Sequence, residues 1–234
     1  MKAAQAHPWM VLAGLALGVT VTNSFARFAY GLILPAMKSE MAWTYAQAGW
    51  LNTANALGYI VGAVITMLFI GRRSPTLLFA FGLITTTIAL LATGLNAALW
   101  WQTMWRILAG LFGAMSFSTA GVLVAGLFKD SPRHNALAIA ILFGTGGGVG
   151  IVLAGAALPG MLDHYGNSSW PMAWVAVGAV SVSFLPLSLW AAAQLSVPVQ
   201  IQSKAQALPI RRMLAQMAGY AGFGLGYIVY LTFL

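Results

Sequence analysis

The sequence predicts an all-α integral membrane protein, and three observations carry that prediction. Seven apolar runs fill most of the 234 residues, each near or above the roughly 20 residues needed to cross a hydrocarbon core. Hydrophobic residues make up 60% of the chain and charged residues 6%, with a mean hydropathy of +0.85, a balance that suits lipid as solvent. The basic residues fall on alternate connections: Arg72, Arg73, Lys129, Arg133, Lys204, Arg211 and Arg212 on one set, Lys38 alone on the other. Because Lys and Arg resist translocation, the N-terminus with Lys2 and the connections near residues 72, 130 and 205 are expected on the cytoplasmic side.

The expected spans are residues 9–34, 45–70, 76–96, 101–127, 135–158, 171–193 and 213–233. Each run is continuous rather than alternating, so each reads as a helix that satisfies its own backbone in lipid, which excludes a β-barrel. The first run is too long for a secretory h-region, contains Arg27 and leads into Gly31–Pro35 without a small-x-small cleavage site, so it stays attached. Within it Thr20, Asn23, Arg27 and Tyr30 are spaced three, four and three apart, which in α-helical register is one face. The second span repeats the pattern with Asn52, Asn55, Tyr59, Gly62 and Thr66. The third follows Gly71, Arg72 and Arg73. The fourth carries Gln102, Arg106, Gly110 and Gly113 on one face, and the fifth carries Gly144, Gly148, Ile151 and Gly155, a small-residue stripe suited to close helix packing. Trp9, Trp43, Trp50, Trp100, Trp101, Trp105, Trp170 and Trp174 lie near run ends and read as interfacial anchors. A polar connection from Gln194 to Arg212, with Pro198 and Pro209, separates the sixth span from the seventh.

Arg27 and Arg106 are the sharpest signals, since an arginine inside a span costs on the order of 3 kcal/mol on the mildest scale and so faces protein or water. Glu40, Asp130 and Asp163 read as residues of connections, which leaves both arginines without a carboxylate partner inside a span. Either they snorkel or bind helix-end carbonyls, or they line a cationic, water-filled cavity for an anionic or strongly polar substrate. Asn52 and Asn55 serve equally as hydrogen-bonding groups for such a substrate or as interhelical bonds worth roughly 0.6 kcal/mol each.

Arg106-Ile-Leu-Ala-Gly110-Leu-Phe-Gly113-Ala114 resembles the fourth-helix motif of the major facilitator superfamily, Arg, three residues, Gly, two residues, Gly-Ala. Gly71-Arg72-Arg73 is similar to the end of that superfamily's loop motif between its second and third helices, although Val64, Leu68 and Phe69 replace its leading Gly, its Asp and its first Arg. Gly144 and Gly148 resemble its fifth-helix glycine motif, with Val149 in place of the usual proline. The strings Ala26–Pro35 and Gly222–Tyr230 narrow the resemblance to the bacterial YbfB/YjiJ branch of predicted transporters. The resemblance implies that the first, fourth and seventh helices line a central cavity, placing Arg27, Tyr30, Arg106 and Tyr227 on the substrate path together with Asn23, Asn52 and Asn55. It also implies twelve spans in two six-helix halves. On that pattern residues 1–193 form the N-terminal six-helix bundle, 194–212 a cytoplasmic linker and 213–234 the first helix of an incomplete C-terminal bundle. The expectation is a fragment that needs the missing half, or a second copy, for transport across a bacterial inner membrane.

Other chemistries fail on inspection. The net charge of +8 is dispersed over membrane-flanking positions, unlike a nucleic-acid patch. The chain has no cysteine, and His7, His134 and His164 are read in separate connections, so no metal site or cofactor is implied. No catalytic constellation is present: Gly144–Gly150 does not fit Gly-x-Gly-x-x-Gly, and Gly-x-Ser-x-Gly is absent. The reading is therefore a non-enzymatic secondary transporter for a small polar solute working by alternating access, the rival being a membrane scaffold whose stripes serve packing alone. Cysteines introduced singly at Ser74 and Ser168 in this cysteine-free chain should react with a membrane-impermeant maleimide from opposite sides. Labelling of both from one side would overturn the charge-based topology.

Overall fold

Six helices long and apolar enough to span a membrane follow one another along the described chain. The structure is a computed structural model that describes residues 7–128 and 130–195 and the single positions 214, 215, 218, 219 and 222. The chain clusters into two compact units, Met1–Val199 and Gln200–Leu234, and the six helices belong to the first. They are α1 (Pro8–Glu40), α2 (Tyr45–Phe69), α3 (Pro75–Thr93), α4 (Leu99–Ala125), α5 (Pro132–Tyr165) and α6 (Trp170–Ala193), the last entered through a short 3₁₀ turn, Asn167–Ser169. No strand occurs among the described residues. Most of the seventh span and of the 194–212 linker, with Tyr227, Lys2, Lys129, Lys204, Arg211 and Arg212, lie outside the described residues.

Local sequence sets the helix ends. Thr44 and Gln47 form a reciprocal capping box at the start of α2, with Gln47 N donating to Thr44 Oγ1 (3.2 Å) and Thr44 N to Gln47 Oε1 (2.9 Å). Prolines open α1, α3, α5 and α6 in the first turn, where a missing N–H has no cost. Gly166, at φ +80° and ψ 171°, ends α5 in a conformation that favours glycine.

Two expected boundaries are corrected. The first helix does not stop before Pro35 but continues to Glu40, because a proline is tolerated in a membrane helix whose neighbours re-satisfy the freed backbone. Lys38 and Glu40 thus belong to its last turns, and Lys38 Nζ sits 3.9 Å from the Tyr45 ring centre. The fifth helix likewise runs past Pro159 to Tyr165, placing Asp163, His134 and His164 on helical turns instead of in connections.

Glycine decides which helices touch. A Cβ at Gly58 or Gly62 of α2 would collide with the Ile107 or Leu111 carbonyl of α4, and one at Gly110 of α4 would collide with the Asn55 carbonyl. That seam lets the two backbones meet directly, as small-residue interfaces do in lipid. Gly82 brings α3 against the Phe112 carbonyl, Gly113 brings α4 so near α1 that a Cβ there would stand 2.9 Å from the Thr22 carbonyl, and Gly14 brings α1 against Leu187 and Ala191 of α6. Helix α1, packed on α4, α5 and α6, is the most buried span. In α5 a Cβ at Gly144, Gly148 or Gly155 would meet nothing within 4 Å among the described residues, while one at Gly146 or Gly150 would press on α1.

Gly110→Val should therefore destabilise the bundle by about 1–3 kcal/mol through overpacking, whereas Gly148→Ala should change stability by less than about 0.5 kcal/mol. Thermal unfolding of the two variants in matched lipid measures the contrast, and equal midpoints would refute the seam.

Candidate functional site

Most buried hydroxyls in this bundle never leave their own helix. Thr22, Thr66, Thr86, Thr87, Thr93, Thr119 and Ser181 each donate to the carbonyl four residues earlier, the local bond that satisfies a hydroxyl without a partner. Among the polar groups that do cross between helices, Thr20, Ser24, Tyr30, Arg106 and Trp174 tie α1 to its neighbours.

Part of the cause is a change of helix type. Residues Thr20–Phe28 of α1 and Ile141–Thr145 of α5 form π-helix, whose i→i+5 bonding widens the turn and marks functional segments more often than α-helix does. Thr20 Oγ1 donates across to the Gly146 carbonyl at 2.7 Å, and Ser24 Oγ donates to the Gly147 carbonyl. Wider turns also shift register. Thr20, Asn23, Arg27 and Tyr30, expected on one face, are divided: Thr20 is buried against α5 and Tyr30 against α2 and α4, while Asn23 and Arg27 stay partly exposed.

Arg106 of α4 is shut away, with 1% of its surface exposed. Its Nη1 donates to the Ala26 carbonyl, inside the widened part of α1, at 2.8 Å. Its guanidinium carbon lies 4.6 Å from the Tyr30 ring centre and 5.8 Å from that of Trp174 in α6. Tyr30 is held in turn by donating its hydroxyl to the Ala48 carbonyl of α2 (2.7 Å), and Trp174 Nε1 faces Met37 Sδ at 3.4 Å. Asn55 Nδ2 of α2 donates to the backbone carbonyl of Arg106 itself at 3.0 Å. A desolvated cation–π contact contributes about 2 kcal/mol and a charged hydrogen bond about 1.5–3 kcal/mol, enough together to offset much of a burial penalty of several kcal/mol. Arg106 Nε and Nη2 have no hydrogen-bond partner among the described residues. Snorkelling is thereby excluded for Arg106, and the carbonyl it takes lies within a helix, not at a helix end.

Arg27 has a different setting. It is partly exposed, and its guanidinium carbon stands 4.7 Å from the Tyr59 ring centre of α2. Tyr59 leads into a row of rings, Phe117 of α4 at 6.3 Å and then Phe143 of α5 at 4.7 Å. These three aromatic residues join the second, fourth and fifth helices beside Arg27, and two of them, Phe117 and Phe143, carry no polar signal by which a sequence could mark them. Asn23 approaches Gly147 of α5, at 3.5 Å from the position a Cβ would take there, and Asn52 is partly buried.

The remaining expected residues divide by role. Asn55 is buried and serves as an interhelical bond. Gly110 and Gly113 are packing positions. Gly71, Arg72 and Arg73 lie at the turn between α2 and α3, both arginines exposed and Gly71 without a close neighbour. Trp174, expected at the interface, is fully buried and forms a wall of the Arg106 enclosure, and Trp43 and Trp170 are buried too, whereas Trp9, Trp50 and Trp100 are exposed as interfacial rings would be. No group of three or more potential metal ligands occurs among the described residues.

Comparison with known proteins agrees with this architecture. A sequence model of the family described as "uncharacterised MFS-type transporter YbfB" matches residues 13–234. Among solved structures, the chain is similar to a bacterial homologue of the human lysosomal transporter Spinster, solved in an inward-facing, unoccupied conformation, with a TM-score of 0.67 and 21% identity. That match covers 90% of this chain and 47% of the other, so the chain spans about half the length of the solved transporter. At this identity the likeness speaks for the fold. No curated protein matches the chain.

Proposed function

Because the chain belongs to the major facilitator superfamily, in its family of YbfB-type transporters, we propose that it supplies the N-terminal half of a secondary transporter that moves a small polar or anionic solute by alternating access. In this reading α1 to α6 form one wall of a midplane cavity, residues 213–234 begin the opposing half, and the two halves rock about the bound solute. The N-terminus is cytoplasmic, in a bacterial inner membrane, on the strength of the loop charges.

The observation that carries the reading is the contrast between the two arginines. Arg106 is closed in by rings and a carbonyl, while Arg27, on the adjoining helix, remains partly exposed with one face on Tyr59. An open cation inside a span is costly unless it meets water or an anion, and a preorganised cation on an aromatic ring is suited to hold a carboxylate or phosphate. Asn23, partly exposed on the same helix, adds donor and acceptor capacity. Arg106 then acts from behind, fixing Ala26, the residue before Arg27. Tyr30 and Asn55 serve that enclosure, and Tyr227 would face the cavity from the second half.

Uptake or efflux measured across a panel of anionic metabolites, in cells expressing the full-length protein, tests this. Arg27→Gln should reduce transport of the responding anion about ten- to hundred-fold, the loss expected for a charged hydrogen bond, with membrane insertion unchanged. Undiminished transport would remove Arg27 from the mechanism.

A further inference from the structure

Three partly exposed rings run on from Arg27 across the bundle. Tyr59 of α2 has its ring centre 4.7 Å from the Arg27 guanidinium carbon, Phe117 of α4 follows at 6.3 Å between ring centres, and Phe143 of α5 ends the row at 4.7 Å. Both ring spacings lie in the range of paired aromatics, so the cation and the three rings form one continuous series. The backbone makes room for the last ring: a Cβ at Gly121 of α4 would stand 3.1 Å from Phe143 Cζ. Beside Phe143, Gly144 is exposed, and a Cβ there would meet nothing within 4 Å among the described residues.

Neither core packing nor contact with lipid accounts for this row. The packing rings Phe25 and Phe79 are shut away, at 2% and 0% exposed. The Phe81–Phe112 pair of α3 and α4, in which Phe81 is well exposed, suits hydrocarbon, since the described cation–ring contacts fall on Tyr30, Tyr45, Tyr59 and Trp174 and on neither of these rings. The Tyr59 row is partly exposed and begins at a partly exposed guanidinium, which hydrocarbon would penalise. Ligand sites have this makeup, mostly apolar with a few polar groups that fix orientation. An aromatic ligand gains from such rings beyond its buried area, through offset or edge-to-face pairing, and an aliphatic one of the same size does not.

We propose that the transported solute is an aromatic carboxylate, its charged group at Arg27 and its ring packed against Tyr59 and Phe117, with Phe143 backing the row from α5. This rests on the reading of Arg27 as the anion-binding cation. Charge and ring adjoin in such a molecule as Arg27 and Tyr59 adjoin in the site, so no long ligand is needed to reach both. The cation fixes orientation, and the rings separate aryl from aliphatic acids.

The test is titration calorimetry of the full-length protein in lipid nanodiscs, with empty nanodiscs subtracted, against two matched pairs: benzoate with cyclohexanecarboxylate, and 3-phenylpropionate with 3-cyclohexylpropionate. The aryl acid of each pair should bind about two- to tenfold tighter. A merely apolar surface would favour the cyclohexyl acid, which has more hydrocarbon to bury, and this wild-type comparison depends on no variant folding. Phe117→Leu, which keeps the position apolar, should erase the aryl preference, and Arg27→Gln should weaken both members of each pair. Equal or reversed affinities, or a preference untouched by both Phe117→Leu and Phe143→Leu, would overturn the aromatic assignment while the anion reading stands on the Arg27→Gln loss. Absence of binding by all four acids would overturn the assignment as well, with Arg27 then judged by the anion panel alone. Binding that ignores Arg27→Gln would instead overturn the anion reading beneath it.

Discussion

The bond from Arg106 to the Ala26 carbonyl is the constraint on which this bundle turns. It ties α4 to the widened part of α1 at 2.8 Å, and the rings on either side extend the tie, Tyr30 to α2 through Ala48 and Trp174 to α6. Four helices therefore meet at one buried cation. In lipid, where apolar contact gives helices little reason to prefer each other over acyl chains, such a polar node specifies an arrangement that packing alone leaves loose. Its consequence for function is indirect: by fixing the backbone at Ala26 it sets where the next side chain, Arg27, can stand.

Around that node the bundle economises on polar contacts. Most buried threonine hydroxyls bond within their own helices, Thr20 also reaching α5, and close approaches are made by glycine against carbonyl along the α2–α4 seam and at Gly82, Gly113 and Gly146. On α1, Asn23 and Arg27 stay partly exposed, Arg27 beside Tyr59.

Much of this was legible in the sequence, and the failures have physical causes. Lipid thickness and backbone satisfaction impose one long apolar helix per crossing, so the second, third and fourth spans were placed within three residues of α2, α3 and α4. Arg106 and its glycines were visible because a charge in a span and a small residue every three or four positions are hard to explain otherwise. The polar residues of α1 do not share one face because Thr20–Phe28 adopt π geometry, through which α-helical spacing does not hold, and a similar widening in α5 precedes Gly146 and Gly150, which pack on α1. Trp174 was misplaced because an indole near a run end looks the same in sequence whether it faces headgroups or encloses a guanidinium.

Amide hydrogen exchange of the wild-type protein and of Arg106→Met in lipid nanodiscs addresses the node itself. If Arg106 holds the widened segment of α1, exchange across residues 20–28 should quicken in the variant while residues 75–93 of α3 keep their wild-type protection, which also shows that the bundle is still folded. Unchanged exchange at 20–28 would contradict the account, leaving Arg106 a buried passenger and Arg27 without its support.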